Sequence, residues 1–405
     1  MTNFLVKLFL IFLVSTTAKT IVLATSLRVL SSSLTRSNTF DVVKDFGAIN
    51  DGAHDTTQAF LNAWDAACAS STASKVYVPK GSYLLKSIVF KGNCKSHILF
   101  AIHGTLFAHD VYDEEHWIDF QDIDGLRIKG GVLNAKGQDI WDCKSSHDGC
   151  PSGAKSLNFD KSKNIIVDGL TSKNSQMFHI TINTCQNIYM RDLTITADGD
   201  SPNTDGIHLQ NSQGITIAHS KINTGDDCIS IGPNNQNLWI SDIICGPGHG
   251  ISIGSLGRGS DEGLVVRNVT IKSSTFVGTD NGLRIKTFSS PTKGSVEDIY
   301  FLGATMKNVR NPIIIDQNYC PHNECPTGQG SGIQINNVQY KNIRGTSSSK
   351  EIVTFDCSPT NPCSGLTLQD IHISYGSDTP ICKCNNANWK VIGSSMQPSN
   401  CLKKN

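Results

Sequence analysis

The chain has 405 residues and a formal net charge of zero, so the molecule as a whole offers no electrostatic case for nucleic acid or an acidic membrane surface. A polyanionic ligand would have to be met by a local basic patch. With 35 glycines and 7% aromatic residues, the composition suits many short strands joined by tight turns better than long amphipathic helices.

In chain order, a secretory signal peptide is expected over residues 1–24. Lys7 lies among apolar residues, residues 8–14 are apolar, and Thr16-Thr17-Ala18 or Val22-Leu23-Ala24 offers a cleavage site. The apolar run is well short of the ~20 residues that a membrane-spanning helix needs, so no membrane association is expected. Residues 25–39, rich in Ser and Thr and without period, read as a flexible linker or propeptide. A single domain is expected to follow, over residues 40–405.

Residues 56–68 place Ala59, Phe60, Ala63, Trp64 and Ala67 on one helical face. Such a helix would cap the open end of a repetitive sheet, where an exposed edge invites aggregation. Beyond it one phrase keeps returning: apolar, variable, apolar, then Asp, Asn or Gly before a further apolar residue. Its leading residues are Ile165, Ile188, Ile215, Leu238, Leu264, Ile299, Ile333 and Leu366, at spacings of 23, 27, 23, 26, 35, 34 and 33. Each phrase alternates with period two and is too short for a helix. Repeats of this length signal a solenoid whose coils bury their apolar side against one another. Leucine-rich repeats and propeller blades need signatures that are missing, which leaves a single-domain, all-β parallel β-helix from about Phe40 to about Ile381. The segment after Cys382 is expected to cap its far end, pinned by disulfides.

Fourteen cysteines run from Cys68 to Cys401. In a secreted chain they read as disulfides, with Cys143–Cys150, Cys320–Cys325 and Cys357–Cys363 as short-loop pairs. No CxxC pair faces a second one, so no metal site is expected. Asn268-Val269-Thr270 is the single glycosylation sequon.

Four phrases on consecutive coils carry chemistry: SPNTDGIHL at 201–209, TGDDCISIG at 224–232, GPGHGISIG at 246–254 and NGLRIKT at 281–287. Asp205 and Asp226 are 21 residues apart, and Asp227 and His249 are 22 apart, about one coil, so these side chains should gather on one face. Taken singly, Asp or Asn beside Gly commonly makes a turn, and a His between glycines can occupy a tight corner. Taken together, three acids at one-coil spacing repel one another, which a purely structural strand would avoid. Neighbours in a regular strand face opposite ways, so Gly225 should permit a bend that brings Asp226 and Asp227 into one cleft. A carboxylate cluster is what glycoside hydrolysis requires. Arg284 and Lys286, two apart on a strand, offer paired positive charge suited to a sugar carboxylate.

NTD, DD, GHG and RIK in this order on a secreted solenoid resemble the signature of the polygalacturonase family, glycoside hydrolase family 28. The resemblance runs from about Phe40 to the C-terminus and includes FDVVKDFGA and NPIIIDQNYC. It implies a right-handed parallel β-helix and an inverting hydrolase of polygalacturonate, the backbone of pectin, without cofactor. By the same resemblance Asp226 is the general acid, Asp205 and Asp227 activate water, and His249 is a hydrogen-bonding partner near the scissile bond. Asn203, Arg284, Lys286 and Tyr319 bind substrate, and Cys228 pairs with Cys245. A monomer secreted to the cell wall is expected; whether attack is endo or exo depends on how loops close the cleft ends, with a slight lean to endo. Two rivals share the fold: a calcium-dependent pectate lyase, whose metal would need oxygen donors such as these aspartates, and a wall-binding protein with a relic site.

Overall fold

The computed structural model describes residues 38–109, 112–146, 149–259, 263–321, 325, 330–393 and 396. The expected signal peptide and most of the linker lie outside the described residues. The first strand, Asn38–Asp41, already pairs in parallel with Ser74–Val78, so regular structure begins two residues ahead of the boundary read from the sequence.

All ladder pairings are parallel, and they form two sheets of 21 and 11 strands. The larger sheet bends round a corner of the solenoid. Strands such as Gln213–Asn223 and Asn235–Cys245 run the full way round that corner, so each pairs with two separate strands of a neighbouring coil. The smaller sheet supplies the remaining face, and its strands follow one another in chain order from Ile88–Lys91 to Ile381–Asn385. The architecture is a parallel β-helix, as the repeat predicts, and right-handed, as the resemblance implies.

Apolar residues at alternate positions stack along the axis. Ile165, Ile188, Ile215 and Leu238 face one another in register and are at most 3% exposed. Two phrase positions differ from the sequence reading. Leu238 pairs with Val269, not Leu264, and Ile299 pairs with Val338, not Ile333. Leu264 and Ile333 instead align with Gly294 on strands that start five residues earlier. The apolar spacing cannot distinguish the two because both positions are buried.

Asparagine-rich corners explain the composition. Asn164, Asn187, Asn237 and Asn268 all adopt positive φ, a conformation Asn tolerates better than other side chains. Their amides link coil to coil, Asn187 to Asn164 at 3.3 Å and Asn268 to Asn237 at 2.7 Å.

The helix Thr57–Ala69 forms as expected and buries Phe60, Ala63, Trp64 and Ala67. Trp64 packs against Phe90, Phe100 and Phe120, closing the N-terminal end of the core. At the other end Ile381–Asn385 and Ala387–Ile392 continue the parallel pairing. The solenoid therefore extends past the expected limit at Ile381, because alternation resumes in the sequence ANWKVI. The three short-loop disulfides form, as do Cys228–Cys245 and Cys68–Cys94, and Cys382 is also disulfide-bonded. Cys185 is a buried free thiol. Among the described residues no helix is long and apolar enough to cross a membrane.

Candidate active site

The site lies on the 11-stranded sheet, in the turns just ahead of four successive strands: Ile207–Gln210, Ile229–Ile231, Ile251–Leu256 and Asn281–Phe288. Their register pairs Ile207 with Ile229, Ile229 with Ile251 and Ile251 with Leu283. Two residues upstream, that register sets Asp205, Asp227, His249 and Asn281 in one line along the axis. Asp226 belongs to the adjacent position and reaches the cluster through the bend at Gly225 and Asp226.

Glycine is required at two of these turns for different reasons. Gly225 has ordinary φ, but a Cβ there would overlap the Ser201 backbone, and its N–H donates to Thr204 Oγ1 at 3.0 Å. Close approach, not the bend alone, excludes other residues. Gly248 has φ of +120° and lies against the Asp226 and Thr224 carbonyls, a backbone state that L side chains rarely adopt.

The three carboxylates occupy distinct environments. Asp227 is buried, and both its oxygens are engaged. Oδ1 accepts from Arg284 Nη2 at 2.7 Å and from Ser252 Oγ at 2.7 Å, and Oδ2 accepts from Lys286 Nζ at 2.9 Å. Burial alone would push its pKa up, but the Arg284 and Lys286 charges outweigh that and hold it at about 2. Asp205 is also buried, and among the described residues no cation forms an ion pair with it, the charge of Lys286 acting on it only from a greater distance. Burial first, then the charges of Asp226 and Asp227, push it well above the usual carboxylate range, despite a 2.6 Å hydrogen bond from Ser230 Oγ to Oδ2. Asp226 is the most accessible of the three. Its Oδ1 accepts from the Asp227 N–H at 2.7 Å and lies 2.8 Å from His249 Nδ1. That contact with Asp226 raises the His249 pKa, against the opposing effect of burial. His249 Nε2 is 3.8 Å from Asp280.

Among the described residues, then, the oxygens of this cluster without a protein partner are Asp205 Oδ1 and Asp226 Oδ2. Asp227 is fully paired.

Arg284 and Lys286 are brought into the site but face Asp227, with side chains about 10% and 9% exposed. Lys286 Nζ also lies 5.1 Å over the Tyr319 ring, which places Tyr319 beside the cluster at the end of Asn311–Tyr319. Asn203 is exposed at positive φ in the turn leading to Asp205, and no hydrogen bond ties it to the acids. Phe288 packs edge-on against Tyr319 at 5.4 Å, and Arg258 lies 5.9 Å over Phe288.

Sequence reasoning passed over Ser230 and Ser252. They occupy one outward row with His208 and Arg284, and each donates to the acid of the preceding coil. His208 Nδ1 lies 2.8 Å from Ser230 Oγ, as Arg284 Nε does from Ser252 Oγ. The signal was the tetrapeptide ISIG, present in both motifs. The same row continues toward the N-terminal end through Thr181, Asn158 and Asp119. There a groove opens, lined also by His116, Lys155 and Gln210.

A divalent ion fits this cluster poorly. One donor atom each of Asp226, Asp227 and His249 lies within 4.8 Å of the others, yet Asp227 is already neutralised by two cations and His249 Nδ1 is committed to Asp226. A metal would compete with Arg284 and Lys286 for the same oxygens.

A parallel β-helix with a carboxylate cluster on one face is an arrangement that suits a glycoside hydrolase acting on an extended chain. Residues 68–396 match Glycosyl hydrolases family 28, and the chain belongs to that family. It is 48% identical to a polygalacturonase of Prunus persica, over 92% of this chain and 96% of that one. It is 44% identical to an exopolygalacturonase of Platanus acerifolia, over 89% and 97% of the two chains. The hyperthermoactive exopolygalacturonase of Thermotoga maritima shares the fold, with a TM-score of 0.72 at 20% identity over 86% of this chain and 92% of that one.

Proposed function

We propose that the chain is a secreted, monomeric, cell-wall polygalacturonase that hydrolyses α-1,4 links of polygalacturonate with inversion and by endo attack. The observation that carries this reading is the pair of open oxygens, Asp226 Oδ2 and Asp205 Oδ1, beside the fully paired Asp227. An inverting hydrolase needs one acid that reaches the leaving oxygen and a separate base that holds water. Asp226, the most accessible, donates the proton, and its link to His249 keeps a second proton nearby. Asp205 takes the proton from water when it is ionised, since its high proton affinity makes it the stronger base. Asp227, held ionised by Arg284 and Lys286, orients that water. Arg284 and Lys286 hold Asp227 in that state and keep further N–H donors for the sugar carboxylate beside it, with Asn203 and Tyr319 contacting the sugar ring. No cofactor is required.

Endo attack is favoured by the groove on the N-terminal side, whose polar row runs on past His208 to Asp119. An internal stretch of polymer can lie along it. Proton NMR of polygalacturonate during the first turnovers tests the chemistry: the β-anomer appears first, and initial α-anomer would refute inversion. Chromatographic sizing of early products tests the mode. Mixed oligomers are expected, and monomer alone would assign exo action. Elimination by a lyase would instead give unsaturated, UV-absorbing ends.

A further inference from the structure

The outer surface of the larger sheet carries a line of outward-facing aromatic rings, two of them exposed and the third, Tyr300, half-buried, that the hydrolytic site does not use. The register runs Tyr189, Thr216, Trp239, Thr270, Tyr300 on five consecutive strands. Their sequence neighbours Ile188, Met190, Leu238, Ile240, Ile299 and Phe301 point inward and are buried, so this row points outward. Tyr189 is 38% exposed and Trp239 45%, values uncommon for rings of that size. The aromatic residues fall on every second strand. Strands in a sheet lie about 4.8 Å apart, so the rings recur at roughly 9.6 Å along a straight line of roughly 19 Å. The threonines between them are short and leave each ring face open. No residue of the row is charged between Arg127 at one end and Lys390 at the other.

We propose that this strip binds a neutral polysaccharide, an extended β-1,4-linked glucan chain, independently of the catalytic groove. Flat pyranose rings with equatorial hydroxyls present C–H faces that stack on aromatic rings. An extended β-1,4 chain repeats its face every two sugars, close to the two-strand interval of the aromatic row. Gln186, Gln213 and Gln236 stand along the strip's near edge and supply amide donors and acceptors for hydroxyl groups. The neutrality of the row decides between ligands. The cations that flank the row are mostly committed, Arg191 to Asp168 at 3.0 Å and Arg267 to Glu297 at 3.8 Å, which leaves Lys272 beside Thr270. A polyuronate would bring a carboxylate per sugar against that single charge and would lose hydration without matching compensation. A neutral glucan has no such cost. The strip and the acid cluster occupy different sheets of the same coils, so both can be occupied together.

Affinity electrophoresis of the full-length protein tests this, with hydroxyethyl cellulose in the gel as the probe and dextran as the control. The wild type is expected to be retarded by hydroxyethyl cellulose and not by dextran. Trp239→Ala should weaken the apparent affinity about tenfold, Trp239→Phe less, and neither should alter turnover of soluble polygalacturonate. An unretarded wild type, or Trp239→Ala retarded like the wild type, overturns the proposal. The sequon at Asn268 borders the strip, so the variants are also compared with Asn268→Gln. If Trp239→Ala lowers the melting temperature of the glycosylated protein alone and leaves retardation unchanged, the rings seat the protein's own glycan and the proposal fails. Because retardation is read without hydrolysis, it stands or falls separately from the assignment of the active site.

Discussion

Three aspartates of the same chemical type differ here only in what surrounds them, and each difference has a measurable consequence. Asp226→Asn keeps the shape of the side chain and its hydrogen bonds to the Asp227 N–H and His249 but removes the transferable proton. General acid catalysis commonly contributes ~10²–10⁴-fold, so kcat should fall by that order while substrate is still bound. Near-native turnover would remove Asp226 from the role. Asp205 makes the opposite case. Its folded pKa lies above the ordinary carboxylate value of 3.8, so between the two values the native state binds more protons than the unfolded chain. Stability then falls as pH rises through that window. Asp205→Asn retains an oxygen for Ser230 and removes the buried charge. It should abolish activity yet raise the melting temperature at neutral pH, and the gain should fade as pH is lowered toward 3.8. A melting temperature lowered at neutral pH would show that the Asp205 charge is compensated.

At the scale of the strand, the outward row His208, Ser230, Ser252 and Arg284 makes the site a single supported line. This part was least legible in the sequence. The acids, His249 and their coil spacing could be read directly, because turn residues beside glycine stand out against alternating strands. The serines could not, since a Ser at an outward strand position is ordinary and its partner lies a whole coil away. The direction of Arg284 and Lys286 was hidden for the same reason: two cations on one strand face look available for substrate until Asp227, two coils back, supplies their partner. That geometry sets the expectation for Arg284→Gln. Breaking a buried ion pair by removing one partner costs about 3–5 kcal/mol, and Lys286 would then be the one cation paired with Asp227, beside the Ser252 hydroxyl. Turnover should fall on both de-esterified and methyl-esterified pectin, and further on the former if the sugar carboxylate also uses Arg284. Loss on de-esterified substrate alone would make Arg284 purely a recognition residue. The register at Leu264 and Ile333 was illegible for a different reason, since apolar alternation continues through both candidate positions and the corner asparagine, not the apolar spacing, sets the phase.

At the scale of the whole molecule, every strand pairs only with the coils before and after it. The fold class, the helical cap and the short disulfide loops were all legible because each is local in sequence. The Cys68–Cys94 bridge was not, since it joins the cap to a strand end across a coil. The pairing pattern also has a consequence for how the protein opens. A solenoid's free energy is approximately a sum over coils and their interfaces, so its cheapest openings begin at the ends and advance inward one coil at a time. The residues from Asp205 to Lys286 lie well inside both ends, and the Cys228–Cys245 bridge joins two of their coils. Native-state hydrogen exchange should therefore form a gradient. Amides of Ile392 and of Asn38–Asp41 should exchange by the shallowest openings, and those of Ile229–Ile231 and Ile251–Leu256 only by the deepest. Uniform protection along the axis would mean that the coils open as one unit. With the gradient, mild denaturant or a protease would erode both ends of the molecule while its chemistry persisted, and residual activity would outlast the loss of a large share of the ordered chain.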